Sequence, residues 1–254
     1  MIKTSKKKFT ELIESLRIKN NSTVIVHSSL FLFGKIEGGP KTILNILISK
    51  FCKEGTLIIP TFTYSFRRNL IYDVDKSKCH PQIGIMPEIF RKEKNTYRNL
   101  DPLFSFAALG TKKNIITRTS NNCFGKNSVF DHLFKSNGII LSLGVEMTYG
   151  ITEFLHIENM ANVPYRYKKK FSGFIIDHNK VRRKDSINHF IKDESFFIKY
   201  KSNREIFKEK LISNKICNQK KFAYGYVFTL DMKNLFDFSF KELKKNPFVM
   251  IQKI

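Results

Sequence analysis

The chain has 254 residues, which is enough for one large domain with a sizeable core, and 42% of them are hydrophobic, as is typical of globular proteins. Lys and Arg number 45 against 22 Asp and Glu, so the formal net charge is +23. The sequence contains no apolar run of the length that crosses a membrane, and residues 1–8 are basic and polar, unlike an export signal. We therefore expect a cytoplasmic protein.

The four cysteines are far apart and form no Cys-x-x-Cys motif (Cys52, Cys79, Cys123 and Cys217). This spacing predicts reduced thiols and neither a disulfide framework nor a zinc site. The six histidines are scattered without a His-x-x-x-His pair, so no metal is expected.

The positive charge leaves three kinds of partner open: nucleic acid, an anionic membrane face, or phosphorylated small molecules. Basic residues concentrate in 166–184 and recur in 201–221 and 241–245. No helix-turn-helix, zinc-finger or RRM signature is present, so no specific nucleic-acid partner is expected. We favour a phosphate-bearing small ligand, leave peripheral attraction to an anionic membrane open, and leave the choice between monomer and dimer open.

The first two thirds of the chain alternate between helical and strand patterns. A strand at 23–27, a helix after Gly38-Gly39-Pro40 and a strand at 56–59 form a βαβ unit, which predicts a parallel sheet. The remaining elements expected in this part are helices at 5–18, 85–94, 128–136 and 151–162 and strands at 105–109 and 139–143.

From residue 165 the pattern changes. Residues 166–201 are strand-like and highly charged, with a turn at 177–179, and a helix (203–213), a strand (222–230) and a final helix to about residue 245 follow. The sequence therefore predicts an α/β fold whose central, mainly parallel sheet is flanked by helices (residues 1–164). An antiparallel appendage of strands and helix (residues 165–254) is expected to pack on this core in the same folding unit.

The segment His27-Ser28-Ser29 follows the first strand of the predicted sheet. Open α/β sheets bind ligands at the carboxyl ends of their strands, and the helix after Gly38 adds a positive dipole end. These features point to a phosphate or carbonyl oxygen bound there, although an ordinary polar turn is an equally good interpretation. No Gly-x-x-x-x-Gly-Lys-Ser/Thr or Gly-x-Gly-x-x-Gly motif supports a nucleoside triphosphate or dinucleotide.

Other polar side chains are expected at the same sheet edge. Thr63 and Tyr64 follow the second strand, and Asp101 offers a loop carboxylate before the third, so all three are candidates for substrate binding. For Asp101, a turn-initiating role before proline is the better interpretation from local sequence.

His156 lies on the predicted helix 151–162 with two carboxylates nearby. A histidine beside a carboxylate can take a proton from an attacking amine, alcohol or water. Glu153 is three residues away and shares its helix surface, and it is also a candidate for substrate binding. Glu158 is two residues away and points elsewhere in a regular helix. On spacing alone, a solvated or structural pair is the commoner outcome.

Taken in order, several segments make the chain resemble the aminoglycoside 3-N-acetyltransferase family, which is distinct from the GNAT fold. The matching segments are 26–30, 38–40, 54–57, 60–63, 84–88, 98–102, 124–125, 143–145, 155–158 and 163–167. The resemblance covers roughly residues 5–250.

The resemblance implies an N-acyltransferase that uses acetyl-CoA or another acyl-CoA. It implies that His156, assisted by Glu158, deprotonates a substrate amine that then attacks the thioester. It also implies that His27, Ser28 and Ser29, together with Ser105, Phe106 and Ala107, line the CoA channel.

Two departures from the family pattern bear on the site and the substrate. Family members usually show His-x-x-Glu, whereas Glu158 follows His156 by two residues, so Glu153 and Glu158 both remain candidates to support the histidine. Phe104 stands where antibiotic-modifying members tend to have His. Segments 63–66, 101–106 and 165–168 look more like relatives associated with surface-polysaccharide synthesis, so we expect an amino-sugar acceptor, either free or nucleotide-linked. The alternatives are an aminoglycoside 3-N-acetyltransferase conferring resistance and a non-catalytic basic module that binds anionic polymers.

Overall fold

The computed structural model describes residues 2–68 and 70–254, with the side chains of residues 148 and 149 left out. The helices are α1 (Lys6–Ser15), α2 (Pro40–Phe51), α3 (Ser65–Arg68), α4 (Ile85–Phe90), α5 (Val129–Lys135), α6 (Met147–Gly150), α7 (Glu153–Ala161), α8 (Glu194–Phe197), α9 (Arg204–Ser213) and α10 (Met232–Lys245). Short 3₁₀ turns lie at Leu30–Phe33, Pro81–Ile83 and Lys113–Ile116.

The strands are β1 (Lys3–Thr4), β2 (Thr23–Ser28), β3 (Lys35–Ile36), β4 (Thr56–Pro60), β5 (Ile71–Asp73), β6 (Tyr97–Arg98), β7 (Phe106–Gly110), β8 (Ile139–Leu143), β9 (Arg166–Ile176), β10 (Arg182–Lys192), β11 (Tyr200–Ser202), β12 (Cys217–Phe222), β13 (Gly225–Asp231) and β14 (Ile251–Lys253). The largest sheet in the described part of the chain has seven strands in the order β12-β13-β8-β2-β4-β7-β6. Its centre is parallel, since β2 pairs in parallel with both β4 and β8, and its flanks are antiparallel.

Alternate residues of the central strands enter two separate cores on the two faces of the sheet. In β2, Val24 and Val26 belong to the core covered by α1 and α2, whereas Ile25 belongs to the core that contains residues of α5, α7 and α10. This is the two-residue period of a strand that is buried on both faces. His27 shares the phase of Ile25, and so its side chain lies on the α7 face.

The predicted α/β class with helices on a central sheet is confirmed, and the C-terminal part modifies it in one respect. The charged hairpin of β9 and β10 lies outside the central sheet, in a three-stranded sheet with β5. Residues 217–231 instead extend the central sheet. The single strand predicted at 222–230 was wrong in extent, because β12 and β13 form a hairpin that turns at residues 223–224. The polar run of β12 had not signalled a strand.

Among the helices described, none has both the length and the apolar composition needed to cross a bilayer.

Candidate active site

A cavity of about 440 Å³ opens at the carboxyl ends of β2 and β8. Its lining includes His27, Ser28 and Ser29 at the end of β2, and Gly144, the residue that follows β8. This is the sheet edge at which the sequence placed a ligand, and the prediction that the three β2 residues lie together there agrees with the structure. We call this space the first cavity.

Close backbone packing shapes the floor of the first cavity. The Ser29 amide donates to the Leu143 carbonyl at 2.8 Å, which ties the β2 loop to the end of β8. Gly144 has φ +71°, and a Cβ there would lie 2.7 Å from the Ser29 carbonyl oxygen. Only glycine fits this left-handed position and this approach. At the rim, the side chain of Phe31 is 88% exposed and offers an apolar surface to a ligand.

His27 forms a buried pair with Glu153, the first residue of α7. His27 Nε2 lies 3.0 Å from Oε1 and 2.9 Å from Oε2 of Glu153, and the carboxylate is fully buried. A carboxylate bonded to Nε2 fixes the tautomer and leaves Nδ1 as the nitrogen that accepts a proton. The arrangement is that of a histidine base held by a carboxylate.

A larger cavity of about 800 Å³ adjoins the first and is named the second cavity. Tyr64, Gln82 and Thr152 line both cavities, so the two spaces meet beside the start of α7. The second cavity lies between α3, α7 and the hairpin of β9 and β10. Two ligands could therefore meet at this junction, one from each side.

Tyr64 occupies the junction in an unusual backbone conformation. Its φ is +53°, in the left-handed region that bulky residues rarely adopt. Its amide donates to the Leu103 carbonyl at 3.3 Å, and its ring contacts those of Phe62 and His80. Strain of this kind is concentrated at functional sites. Among the predicted substrate residues, Tyr64 is the one that lines both cavities.

His156 lies in the core and is not among the residues that line either cavity. Its side chain is 1% exposed and stacks on Phe134 with ring centroids 4.9 Å apart. Nδ1 accepts a hydrogen bond from the Gly125 amide at 3.2 Å. Burial lowers the pKa of His156 to about 4. The structure thus gives this histidine a packing position and does not bring it to the junction.

Glu158 binds a different set of partners from those expected. Arg204 Nη2 donates to its Oε1 at 3.0 Å, Arg166 Nε lies 2.7 Å from Oε2, and the Tyr165 hydroxyl donates at 3.3 Å. Burial alone would raise the pKa of Glu158, but the two arginines outweigh it and lower that pKa. In the described contacts, neither Glu153 nor Glu158 pairs with His156.

The expected His-x-x-Glu spacing is not met in this chain. The residue three positions before Glu158 is Leu155, and His156 is one position later. Leu155 lines the second cavity, while His156, the next residue and about 100° further around α7, faces the core. The position that faces the ligand space therefore carries an aliphatic side chain, and a base must come from another element.

Four residues predicted at the CoA site are not among those that line the first cavity. Ser105 is buried and its hydroxyl donates to the Thr61 carbonyl at 2.6 Å, and Phe106 and Ala107 are buried in β7. Gly38 is exposed near the start of α2. β7 pairs antiparallel with β4, so the buried first residues of β7 lie beside the carboxyl end of β4.

The remaining predicted substrate residues have structural contacts. Asp101 accepts hydrogen bonds from the Leu103 and Phe104 amides at 2.8 and 2.7 Å, and burial raises its pKa. The Thr63 hydroxyl donates to the Pro102 carbonyl at 3.0 Å. Asp101 is thus the turn residue that local sequence favoured.

Within the described residues, no group of His, Cys, Asp and Glu side chains is placed to hold a metal ion. The cysteines are free thiols, and burial raises the pKa of Cys79 and of Cys217 to about 12. Thiols that stay protonated at neutral pH are poor nucleophiles.

Comparison with known proteins gives consistent results. A family model described as aminoglycoside 3-N-acetyltransferase matches residues 25–244. The SPβ prophage-derived aminoglycoside N(3′)-acetyltransferase-like protein YokD of Bacillus subtilis (strain 168) is 26% identical over 164 residues. That match covers 56% of this chain and 60% of the relative, so the sequence match spans about three fifths of the relative's length.

Solved structures share the fold over nearly the whole chain. The aminoglycoside acetyltransferase AAC(3)-Xa superposes with a TM-score of 0.84 at 17% identity, covering 96% of this chain and 93% of the other. AAC-IIIb in a binary complex with CoASH superposes with a TM-score of 0.79 at 18% identity, covering 96% and 97%. At these identities the likeness concerns the fold.

Proposed function

The chain belongs to the aminoglycoside 3-N-acetyltransferase family, and we propose that it transfers an acetyl group from acetyl-CoA to the amine of an amino sugar. The observation that carries the proposal is the buried His27–Glu153 pair at the edge of the first cavity, beside its junction with the second. A relative of the same fold has been solved with CoASH.

The first cavity is the proposed place of the thioester. It opens at the carboxyl edge of the sheet, and the left-handed Gly144 leaves room for a ligand to approach the backbone. The exposed ring of Phe31 offers an apolar surface for the long CoA molecule. The amine then enters from the second cavity and meets the thioester near Thr152.

The proposed reaction is a direct transfer. The amine nitrogen attacks the thioester carbonyl carbon, a C–N bond forms, and the C–S bond breaks to release CoA. An amine is largely protonated at neutral pH, so it first loses one proton to solvent to free its lone pair. As the C–N bond forms, the nitrogen loses a second proton, which passes to Nδ1 of His27, while Glu153 stabilises the resulting imidazolium. The proton can then return to the CoA sulfur. General base assistance of this kind contributes about 10²–10⁴-fold to a rate.

Acetylation of an aminoglycoside is the second candidate. The family description and the name of the Bacillus relative both refer to aminoglycosides, and these names favour such an acceptor over the surface-polysaccharide amino sugar expected from the sequence. Both candidates share the donor, the reaction and the proposed base. They differ in the charge of the acceptor.

Two experiments test the proposal. Thermal unfolding with acetyl-CoA at about 100 times its dissociation constant should show roughly 2.7 kcal/mol of added stability. A panel of amino sugars and aminoglycosides, assayed by CoA thiol release with acetyl-CoA and longer acyl-CoAs, should then identify the acceptor. Absence of any shift with every acyl-CoA would contradict the proposal and favour a non-catalytic basic module.

A further inference from the structure

The second cavity is strongly cationic. Six of its lining side chains carry positive charge: Arg67, Arg68, Arg166, Lys169, Lys192 and Arg204. Among the described residues, Glu194 is the only carboxylate that lines this cavity. Glu158 does not line it but forms ion pairs with two of the lining residues, Arg166 and Arg204. Even with Glu158 counted, six cationic side chains face two carboxylates among the described residues of this space. A polycationic ligand would be repelled there.

Two titratable side chains that line the cavity have lowered pKa values. Burial, followed by the charges of Arg67 and Arg166, lowers the pKa of His189 to about 3. Burial, followed by Arg166 and Arg204, also lowers the pKa of Lys192. Burial is the main reason that each group is disfavoured in its protonated form, and the neighbouring arginines add to it.

His189 is also a polar group without a partner. Its side chain is 6% exposed, it lines the second cavity, and its Nδ1 has no hydrogen-bond partner among the described residues. Buried polar atoms are nearly always bonded, and the exceptions call for a ligand or water. His189 therefore lies in the wall of the cationic cavity with a ring nitrogen that no described residue engages.

The first cavity differs in charge. It has no Lys or Arg among its lining residues, and Glu146 is its acidic member. The cations are therefore concentrated on the side of the junction where Leu155 lies, away from Ser28 and Ser29. An acidic group is thus matched by the cations of the second cavity, whereas the first cavity is proposed to hold the uncharged thioester end of acetyl-CoA.

We propose that the second cavity binds an acidic group, phosphate or carboxylate, and that this group belongs to the amine acceptor. The inference rests on the proposed function, and it selects an anionic amino sugar over a polycationic aminoglycoside. The mouth residues Arg67, Arg68 and Lys169 are exposed and would contact the acidic group first. Arg166 and Arg204, which are held in place by Glu158, would bind the acidic group on the inner side of the cavity.

Inorganic pyrophosphate is the probe for the site. Calorimetry should detect its binding to the intact protein, and the binding should persist when acetyl-CoA is saturating. Arg67→Gln and Lys169→Gln should each weaken it by about three- to tenfold at low salt, with a smaller effect at high salt. Lys241→Gln, an exposed change on α10, is the matched control and should leave binding unchanged.

An activity assay provides the second test of the proposal. Glucosamine 1-phosphate and glucosamine differ by one phosphate, and kanamycin carries several positive charges. We expect thiol release, or competition with the identified acceptor, to favour the phosphorylated sugar, with Lys169→Gln raising the acceptor KM and sparing that of acetyl-CoA. If pyrophosphate competes with acetyl-CoA and the variants raise the acetyl-CoA KM, the cations serve the CoA phosphates and the proposal is overturned.

Preference for kanamycin, or no pyrophosphate binding to a protein that acetyl-CoA stabilises, would also overturn the acceptor assignment. Failure of acetyl-CoA itself to bind is a different result, because it removes the proposed function as a whole.

Discussion

His27 contacts the first residue of helix α7, His156 lies within that helix, and both are almost completely buried. His27 contacts the carboxylate of Glu153 and lines a cavity, whereas His156 stacks on Phe134 and accepts a bond from the Gly125 amide. Burial lowers the pKa of His156 to about 4, whereas a carboxylate lies against Nε2 of His27. Burial alone thus does not decide whether a histidine can serve as a base; the neighbouring charge does.

The two carboxylates of α7 differ in the same way. Glu153 has a histidine as its partner at the cavity, and Glu158 has two arginines and a tyrosine inside the fold. We therefore propose that Glu153 takes part in the reaction and that Glu158 contributes to stability by holding Arg166 and Arg204 at the second cavity. The following predictions separate these roles.

The largest expected effect is on stability. Glu158→Gln leaves Arg166 and Arg204 buried without their anion, which should lower the free energy of unfolding by about 3–5 kcal/mol. Urea unfolding measures this change. Glu11→Gln, on the surface of α1, is the matched control and should change stability by less than about 0.5 kcal/mol. A loss below 1 kcal/mol for Glu158→Gln would show that the cluster contributes little.

The second prediction concerns the stability of the fold at low pH. The unfolded chain protonates His156 near its ordinary pKa of 6.5, but the folded protein does so only near 4, so acid favours unfolding within this window. His156 should account for about 3 kcal/mol of stability lost between pH 7 and pH 4. Urea unfolding of wild type and His156→Phe at both pH values isolates this part, because the variant should lose about that much less. Equal losses would place the His156 pKa near its ordinary value.

The third prediction concerns the support of the base. Glu153→Gln keeps the shape of the side chain but removes the negative charge beside His27, so the imidazolium formed in the reaction loses its partner. The turnover number should fall by about 100-fold, with little change in the KM of acetyl-CoA. Steady-state thiol release measures both constants. A variant with wild-type turnover would remove Glu153 from the mechanism.

The smallest expected effect is on donor binding. Ser29→Glu places a negative charge in the first cavity, and a unit charge about 4 Å from a phosphate costs about 1 kcal/mol in water-like surroundings. The acetyl-CoA KM should rise by up to about tenfold. Ser29→Gln, of the same size without the charge, should change it much less. Equal effects of both variants would point to steric exclusion in place of charge.

The fold was largely predictable because its central strands carry a local signal. The runs at 23–27, 56–59 and 139–143 became β2, β4 and β8, and the Gly39-Pro40 step begins α2 at its first turn. The position of His27-Ser28-Ser29 at the sheet edge followed from this pattern. Strand β12 escaped prediction because four of its six residues are polar or charged and it lies at the edge of the sheet.

The pairing within the site was not predictable from spacing. His27 and Glu153 are 126 positions apart, and their contact depends on how α7 docks on the sheet. The catalytic role of His156 was predicted from the family resemblance, but the phase of α7 turns Leu155 and not His156 towards the second cavity. The cationic cavity draws its residues from α3, β9, β10 and α9, so only the basic run at 166–184 hinted at it.

The most direct test of the proposed centre compares two histidine variants on the acceptor found by the thiol-release screen. His27→Gln keeps a hydrogen-bond donor for Glu153 but cannot accept the proton, and its turnover should fall by about 10²–10⁴-fold while acetyl-CoA still stabilises the protein. His156→Phe should unfold at a lower temperature yet keep its turnover within about threefold when assayed well below that temperature. Near-normal turnover in His27→Gln, with a collapse in folded His156→Phe, would contradict the account.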